Sequence, residues 1–249
     1  MKIYQYQQET PKEYLHLSKA LGLPAFAPLA VYLVGGGGKT SLMYRLAKEF
    51  SEEGKQVIVT TTTHIAWPDH MPVCQISHAG EMKNHQWEGI LAIGQKEEKT
   101  GKLIGLPLEE TGKLLQYADV VLLEADGAKC LPLKVPKAHE PVILPESQAV
   151  IACCGLDAIG KPLSKVCFRW EQAVRLLNKE PDSLVTPRDM AVILSHKDGS
   201  RKQVENREYR MVLNKADTPE KRSLAEKVIR ELKVLGEQEE ACLVTSFLI

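Results

Sequence analysis

A chain of 249 residues, 44% hydrophobic and 26% charged, is long enough to bury a full core as one large domain, and its composition excludes a disordered chain. Its 32 Lys plus Arg balance 32 Asp plus Glu, which argues against a general nucleic-acid binder or a polybasic membrane anchor and leaves partners to be chosen by a site. The six cysteines, at 74, 130, 153, 154, 167 and 242, form no CxxC pair and read as reduced thiols.

The N-terminus "MKIYQYQQETPKEYLHLSKALGL" lacks the basic start and apolar run of a signal peptide, and the apolar stretch from Leu21 to Val34 is broken by Pro24 and Pro28. The reading is a cytoplasmic protein without nucleic-acid or membrane partners, with residues 1–29 an N-terminal extension of a single domain spanning 1–249. Apolar, β-rich runs then recur at Ala30–Val34, Val57–Thr62, Gly89–Ile93, Val120–Glu124, Ala149–Cys154, Arg210–Leu213 and Cys242–Thr245. Helical periodicity lies between several of them. "TSLMYRLAKEF" puts Leu42, Leu46 and Phe50 on one stripe, with Tyr44, Lys48 and Glu49 mainly off it. Thr186 with Pro187, and Thr218 with Pro219, are paired helix-start signals. Strands alternating with helices predict an α/β fold: a three-layer, P-loop NTPase-like, mostly parallel sheet covered by helices on both faces. The segment Lys129–Glu146 carries four prolines and reads as an ordered loop, bounded at 128–147.

The first strand runs into "GGGGKTS". Gly35, Gly36, Gly37 and Gly38 free backbone for close approach, and at the carboxyl edge of a parallel sheet, before a helix, the chemistry that fits is a phosphate group. Lys39 would meet the β and γ phosphates, Thr40 would offer its hydroxyl to Mg2+, and Ser41 continues the helix N-terminus. Position 33 is Leu rather than the glycine of GxxxxGK[ST], so the loop is a shorter GxxGKT. That form resembles the loop of the Mur-ligase group of ATP-dependent enzymes, and by itself it leaves the base open.

"VVLLEADGAK" occupies the place of a GTPase DxxG switch but reads ExxG: Glu124 or Asp126 would hold Mg2+, and the Gly127 N–H would reach a γ-phosphate. Its alternative is a strand-end turn with solvated acids. Thr60–Thr63 and His64 follow the second strand, where hydroxyls would supply a metal ligand or hold an attacking water, or would simply be good strand residues. "VLNKAD" resembles the guanine-specificity motif of GTPases. Asp217 is acceptor-only and matches guanine N1–H and its exocyclic amine, while adenine offers an acceptor at N1; Asn214 would position the loop and the stem of Lys215 would lie along the purine face. The alternative makes Asp217 a helix-start residue. Thr245 and Ser246, in "CLVTSFLI", resemble the terminal GTPase loop beside the base. In "ACCG", Cys153 and Cys154 are either a thiolate pair at a strand end or buried small hydrophobes.

Taken together, "VGGGGKTSL", "VTTTTHI", "LLEADGAKCLPLKVPKAHEPVI", "CFRWEQA", "LVTPRDMA" and "VLNKAD" make the chain similar to the YqeC family, described as accessory proteins of selenium-dependent molybdenum hydroxylases. The resemblance implies a nucleotide-binding role in maturation or cofactor insertion of such a hydroxylase or its cofactor-assembly proteins; with the motifs above, the reading is a GTP-binding (or ATP-binding), Mg2+-dependent protein with Lys39, Glu124 and Asp126 at its reacting end. The resemblance also implies that Lys129, Lys134, Lys137, His139 and Glu140 are polar contacts to a client, the alternative being an ordered proline-rich surface loop with solvated charges. The alternatives are an ATP-dependent ligase or kinase, and a nucleotide-gated binding module that does not hydrolyse. The expected intrinsic turnover is slow, because no catalytic glutamine or arginine finger is assignable.

Overall fold

The computed structural model describes residues 1–7, 10–24 and 27–247. Its strands are β1 (Lys2–Gln7), β2 (Thr10–Tyr14), β3 (Leu29–Gly35), β4 (Val57–Thr61), β5 (His64–Ile65), β6 (Val73–Cys74), β7 (Ile90–Ile93), β8 (Gln95–Lys96), β9 (Leu103–Ile104), β10 (Val120–Glu124), β11 (Leu133–Lys134), β12 (Ala149–Gly155), β13 (Cys167–Phe168), β14 (Glu208–Asn214) and β15 (Cys242–Ser246). Its helices are α1 (Leu17–Leu21), α2 (Lys39–Glu52), α3 (Leu108–Thr111), α4 (Leu163–Val166), α5 (Trp170–Leu177), α6 (Pro187–Ser195) and α7 (Pro219–Val234).

One sheet runs in the order β2-β1-β15-β14-β12-β3-β10-β4-β7-β6, with every pairing from β15 to β6 parallel. Parallel strands are covered on both faces and read as unbroken apolar runs, and β3, β10 and β12 are buried at every position. The side-chain period of two splits β3 between two cores. Val31 and Leu33 pack with Leu42, Met43, Leu46 and Phe50 of α2, while Ala30, Tyr32 and Val34 pack with Met190 and Ile193 of α6 and Val228 and Ile229 of α7. The result is the three-layer, P-loop NTPase-like α/β sheet that the sequence predicts. No described helix is long and apolar enough to cross a membrane.

Three features depart from the sequence reading. The N-terminal segment is not a mere extension: β1 pairs antiparallel with β15 and with β2, closing one edge of the sheet, and Pro11 sits on the outermost strand, where a missing N–H costs no interior ladder bond. Residues 8, 9, 25 and 26 of that segment lie outside the described residues. Glu49, expected off the buried stripe of α2, is 2% exposed because its carboxylate accepts the Leu17 and Ser18 N–H groups at 2.8 Å each and so caps α1. The proline-rich segment contributes β11 to a two-stranded sheet with β13 and buries Pro132 through Pro136. Thr186 and Thr218 cap α6 and α7, with Pro187 and Pro219 at their first turns.

Candidate nucleotide site

The chain leaves β3 through α2 toward β4 on one side of the sheet and leaves β12 toward β14 on the other, so β3 and β12 bracket a topological switch point. A crevice beyond the carboxyl ends of such strands is where open α/β sheets bind ligands. Gly35 to Gly38 lie there.

The glycines answer first to the protein itself. A Cβ on Gly36 would stand 2.5 Å from the Leu131 carbonyl oxygen, one on Gly37 2.2 Å from the Gly155 nitrogen, and one on Gly38 2.4 Å from Asn214 Nδ2. Gly37 and Gly38 also hold φ of 76° and 120°, which only glycine adopts without strain. The Gly36 N–H donates to the Cys153 carbonyl at 2.9 Å and the Gly37 N–H to Leu131 at 3.0 Å. Outward-facing donors therefore begin at the start of α2, where the first N–H groups have no intrahelical partner and the helix dipole adds partial positive charge.

Lys39, 4% exposed, turns its ammonium back over the loop. It donates to the Gly35 carbonyl at 2.5 Å and pairs with Asp126 at 3.1 Å and Glu124 at 3.5 Å. Burial pushes this ammonium down, but the two carboxylates outweigh it and its pKa stands above the ordinary value. Thr40 Oγ1 donates to Glu124 Oε2 at 2.6 Å, and the Gly35 N–H donates to Asp126 Oδ2 at 3.1 Å. The two acids thus divide: Glu124 is bound to the threonine hydroxyl and Asp126 to the loop backbone.

Around them, Thr61 Oγ1 and the Thr62 N–H both donate to the Glu124 carbonyl, at 3.0 Å each, which draws the threonine turn against the acid. The Thr62 hydroxyl is buried without a hydrogen-bond partner, as is the Tyr44 hydroxyl one helical turn beyond Thr40. Burial, with Glu124 nearby, pushes the Tyr44 phenol up to about 12. Gly127 lies beside Thr63, whose hydroxyl would be 4.0 Å from an added Cβ. His64 is exposed and faces Glu97 at 3.4 Å, away from the cluster.

On the other side of the switch point, Asn214 is 2% exposed and its amide makes three hydrogen bonds. Its Nδ2 donates to the Gly37 carbonyl at 2.8 Å, and its Oδ1 accepts the Lys215 N–H at 2.8 Å and the Thr245 hydroxyl at 2.9 Å. The Ser246 hydroxyl donates to Asp217 Oδ1 at 2.7 Å, and Lys221 lies 3.6 Å from the other carboxylate oxygen. Residues of the glycine loop, β14 and β15 are thereby tied into one cluster. Ser41 is exposed on α2.

Three groups escaped the sequence reading. Lys134, expected at a client surface, has a side chain that is 0% exposed, its Nζ 3.2 Å from Asp126 and 3.3 Å from Glu140. Glu140 is likewise internal to the molecule: Arg169 grips both its oxygens at 3.0 Å. Burial raises the Glu140 pKa, but Arg169, the Lys137 N–H and Lys134 together hold it at about 2. Lys129, Lys137 and His139 are exposed. The only local sign of the Lys134 role was a lone charge between Leu133 and Val135. Asp157, just beyond β12, holds Lys215 Nζ at 2.8 Å, and its other oxygen is buried without a partner. An acid at that end of a strand flanking the switch point was a usable signal.

Cys153 and Cys154 are fully buried, and burial pushes the Cys153 thiol up to about 12 and Cys154 well above the ordinary range. They behave as small hydrophobes of β12, not as a thiolate pair.

A sequence model of the family described as "YqeC protein" matches residues 31–171, which include the glycine loop, both acids and the proline-rich segment. A protein of Escherichia coli (strain K12) named "Uncharacterized protein YqeC" is 33% identical over 192 residues, 71% of this chain and 72% of its own length.

Proposed function

The chain belongs to the YqeC family, and from its site we propose that it binds a purine nucleoside triphosphate with Mg2+ at Gly35–Ser41, prefers guanine, and hydrolyses the nucleotide slowly on its own. The observation that carries this reading is the convergence of Lys39, Thr40, Glu124 and Asp126 at the N-terminus of α2 on a topological switch point. The donors there are oxygens: a threonine hydroxyl and two carboxylates. Such a hard set, too small to enclose a cation alone, suits Mg2+ that keeps waters and takes phosphate oxygens for the rest. Bound, the ion supplies a Lewis acid to the β- and γ-phosphate oxygens.

In this reading the N–H groups at the start of α2 receive phosphate oxygens, and Lys39 leaves the Gly35 carbonyl to meet the β and γ phosphates. Thr40 and Glu124 would hold the metal, and the hydroxyls of the threonine turn would orient the attacking water. The Gly127 N–H senses the γ-phosphate. Asn214 holds the base-reading loop to the phosphate loop through the Gly37 carbonyl, Asp217 accepts from the guanine N1–H and amine, and Lys215, steadied by Asp157, lies along the purine. Thr245 and Ser246 fix this loop from the neighbouring strand. We further propose that the nucleotide cycle serves maturation or cofactor insertion of a selenium-dependent molybdenum hydroxylase, with exposed Lys129, Lys137 and His139 as contacts to that client.

Equilibrium binding of GDP, GTP, ADP and ATP analogues, with and without Mg2+, tests the reading. Guanine preference of tenfold or more, about 1.4 kcal/mol, supports it. Adenine preference removes the base-reading role of Asp217 and favours an ATP-dependent ligase or kinase; absence of all binding overturns the proposal. Fast hydrolysis without any client would refute the slow intrinsic turnover.

A further inference from the structure

Lys134 is among the largest fully buried side chains of the described residues, with two carboxylates 3.2 and 3.3 Å from its ammonium. A methionine or leucine would fill the same space without taking a charge out of water, so packing does not explain a lysine there. The strand that carries it is pinned to the phosphate loop: Leu131 and Pro132 offer their carbonyls to the Gly37 and Gly155 N–H groups, at 3.0 and 2.9 Å. The charge is held beside the loop by design of the backbone, out of reach of solvent.

Its partner decides the matter. Asp126 is 3% exposed and carries two ammonium groups, Lys39 on one oxygen and Lys134 on the other. Binding phosphates requires Lys39 to move. Were Lys39 the sole cation on Asp126, its departure would strand a buried carboxylate, and breaking a buried pair by removing one partner is strongly destabilising. With Lys134 in place the carboxylate keeps a counter-charge. Lys134 itself stays where it is, because the strand that carries it is paired with β13 and its side chain is 0% exposed; Glu140, locked by Arg169, shares its charge.

We infer that Lys134 is a positioning residue for the phosphate site: it neutralises Asp126 so that Lys39 is free to transfer from that carboxylate to the nucleotide. The inference rests on the nucleotide reading above and deepens it.

A double-mutant cycle with a fluorescent GDP analogue and Mg2+ tests it. Lys134→Met should weaken binding tenfold or more in the wild-type background and less than threefold in an Asp126→Asn background, where no carboxylate needs the second charge. A change under threefold in the wild-type background, or an equal loss in both, overturns the inference. Glu140→Gln supplies an arm of opposite sign and does not depend on Lys134→Met folding. It leaves Lys134 to Asp126 alone, so affinity should match or exceed that of the wild type, whereas a tenfold loss would show that the network acts only as scaffold. A wild-type protein that binds no nucleotide defeats the underlying reading; a wild type that binds, with a flat cycle, defeats this inference alone.

Discussion

Replacing Asn214 by alanine removes a side chain that joins two strands to the phosphate loop. The amide spans β14, the phosphate loop and β15 through three hydrogen bonds of 2.8 to 2.9 Å, and it is 2% exposed. Each bond contributes about 1 kcal/mol net, and truncation leaves the Gly37 carbonyl and the Thr245 hydroxyl buried without partners, which adds desolvation cost. The sum is about 3 to 5 kcal/mol, or roughly 10 °C in Tm for a chain of this size. Urea denaturation reads it directly: the midpoint should fall with the slope unchanged, since the surface exposed on unfolding is the same. Asn214→Asp separates the two halves of the amide. It keeps an acceptor for Lys215 and Thr245 but sets a carboxylate oxygen against the Gly37 carbonyl, so it too should be strongly destabilising. A cost below about 1 kcal/mol for the alanine variant would refute the tie between the NKAD loop and the phosphate loop, whatever nucleotide the protein binds.

Glu140 gives a pH signature. Its folded pKa is held at about 2, below the usual 4.5, so its pairing with Arg169 and Lys134 contributes stability that is complete above about pH 4.5 and is lost as pH falls through 2. The stability gap between wild type and Glu140→Gln, followed by denaturation, should be flat at neutral pH and close between pH 4.5 and 2; a gap that widens in acid would contradict the assignment. Gly37→Ala places a methyl 2.2 Å from the Gly155 nitrogen at a φ of 76°, and should lower Tm sharply even without nucleotide, while Gly80→Ala, which meets nothing within 4 Å, should not. Equal Tm values for the two would show that the glycine loop is not packed against β12.

The strands were legible because parallel strands covered on both faces read as plain apolar runs; Val120–Glu124 appears at its observed bounds, and Thr186 and Thr218 announce their helices by side-chain chemistry acting over three residues. The glycine loop, Glu124, Asp126 and Asn214 were legible for the same reason: each lies at the end of a strand or just past it, and parallel strands end at a common edge. The antiparallel pair of β1 and β2 was not, since its place beside β15 joins opposite ends of the chain and no local pattern records that. Nor was the fate of Glu49 and Lys134. A charge is read from sequence as solvated, and only tertiary structure supplies the N–H groups of α1 or the carboxylates of Asp126 and Glu140 that make burial tolerable. Local sequence determined which groups reach the sheet edge; the strand order, by setting β12 beside β3 and β14 beside β12, decided which of them meet.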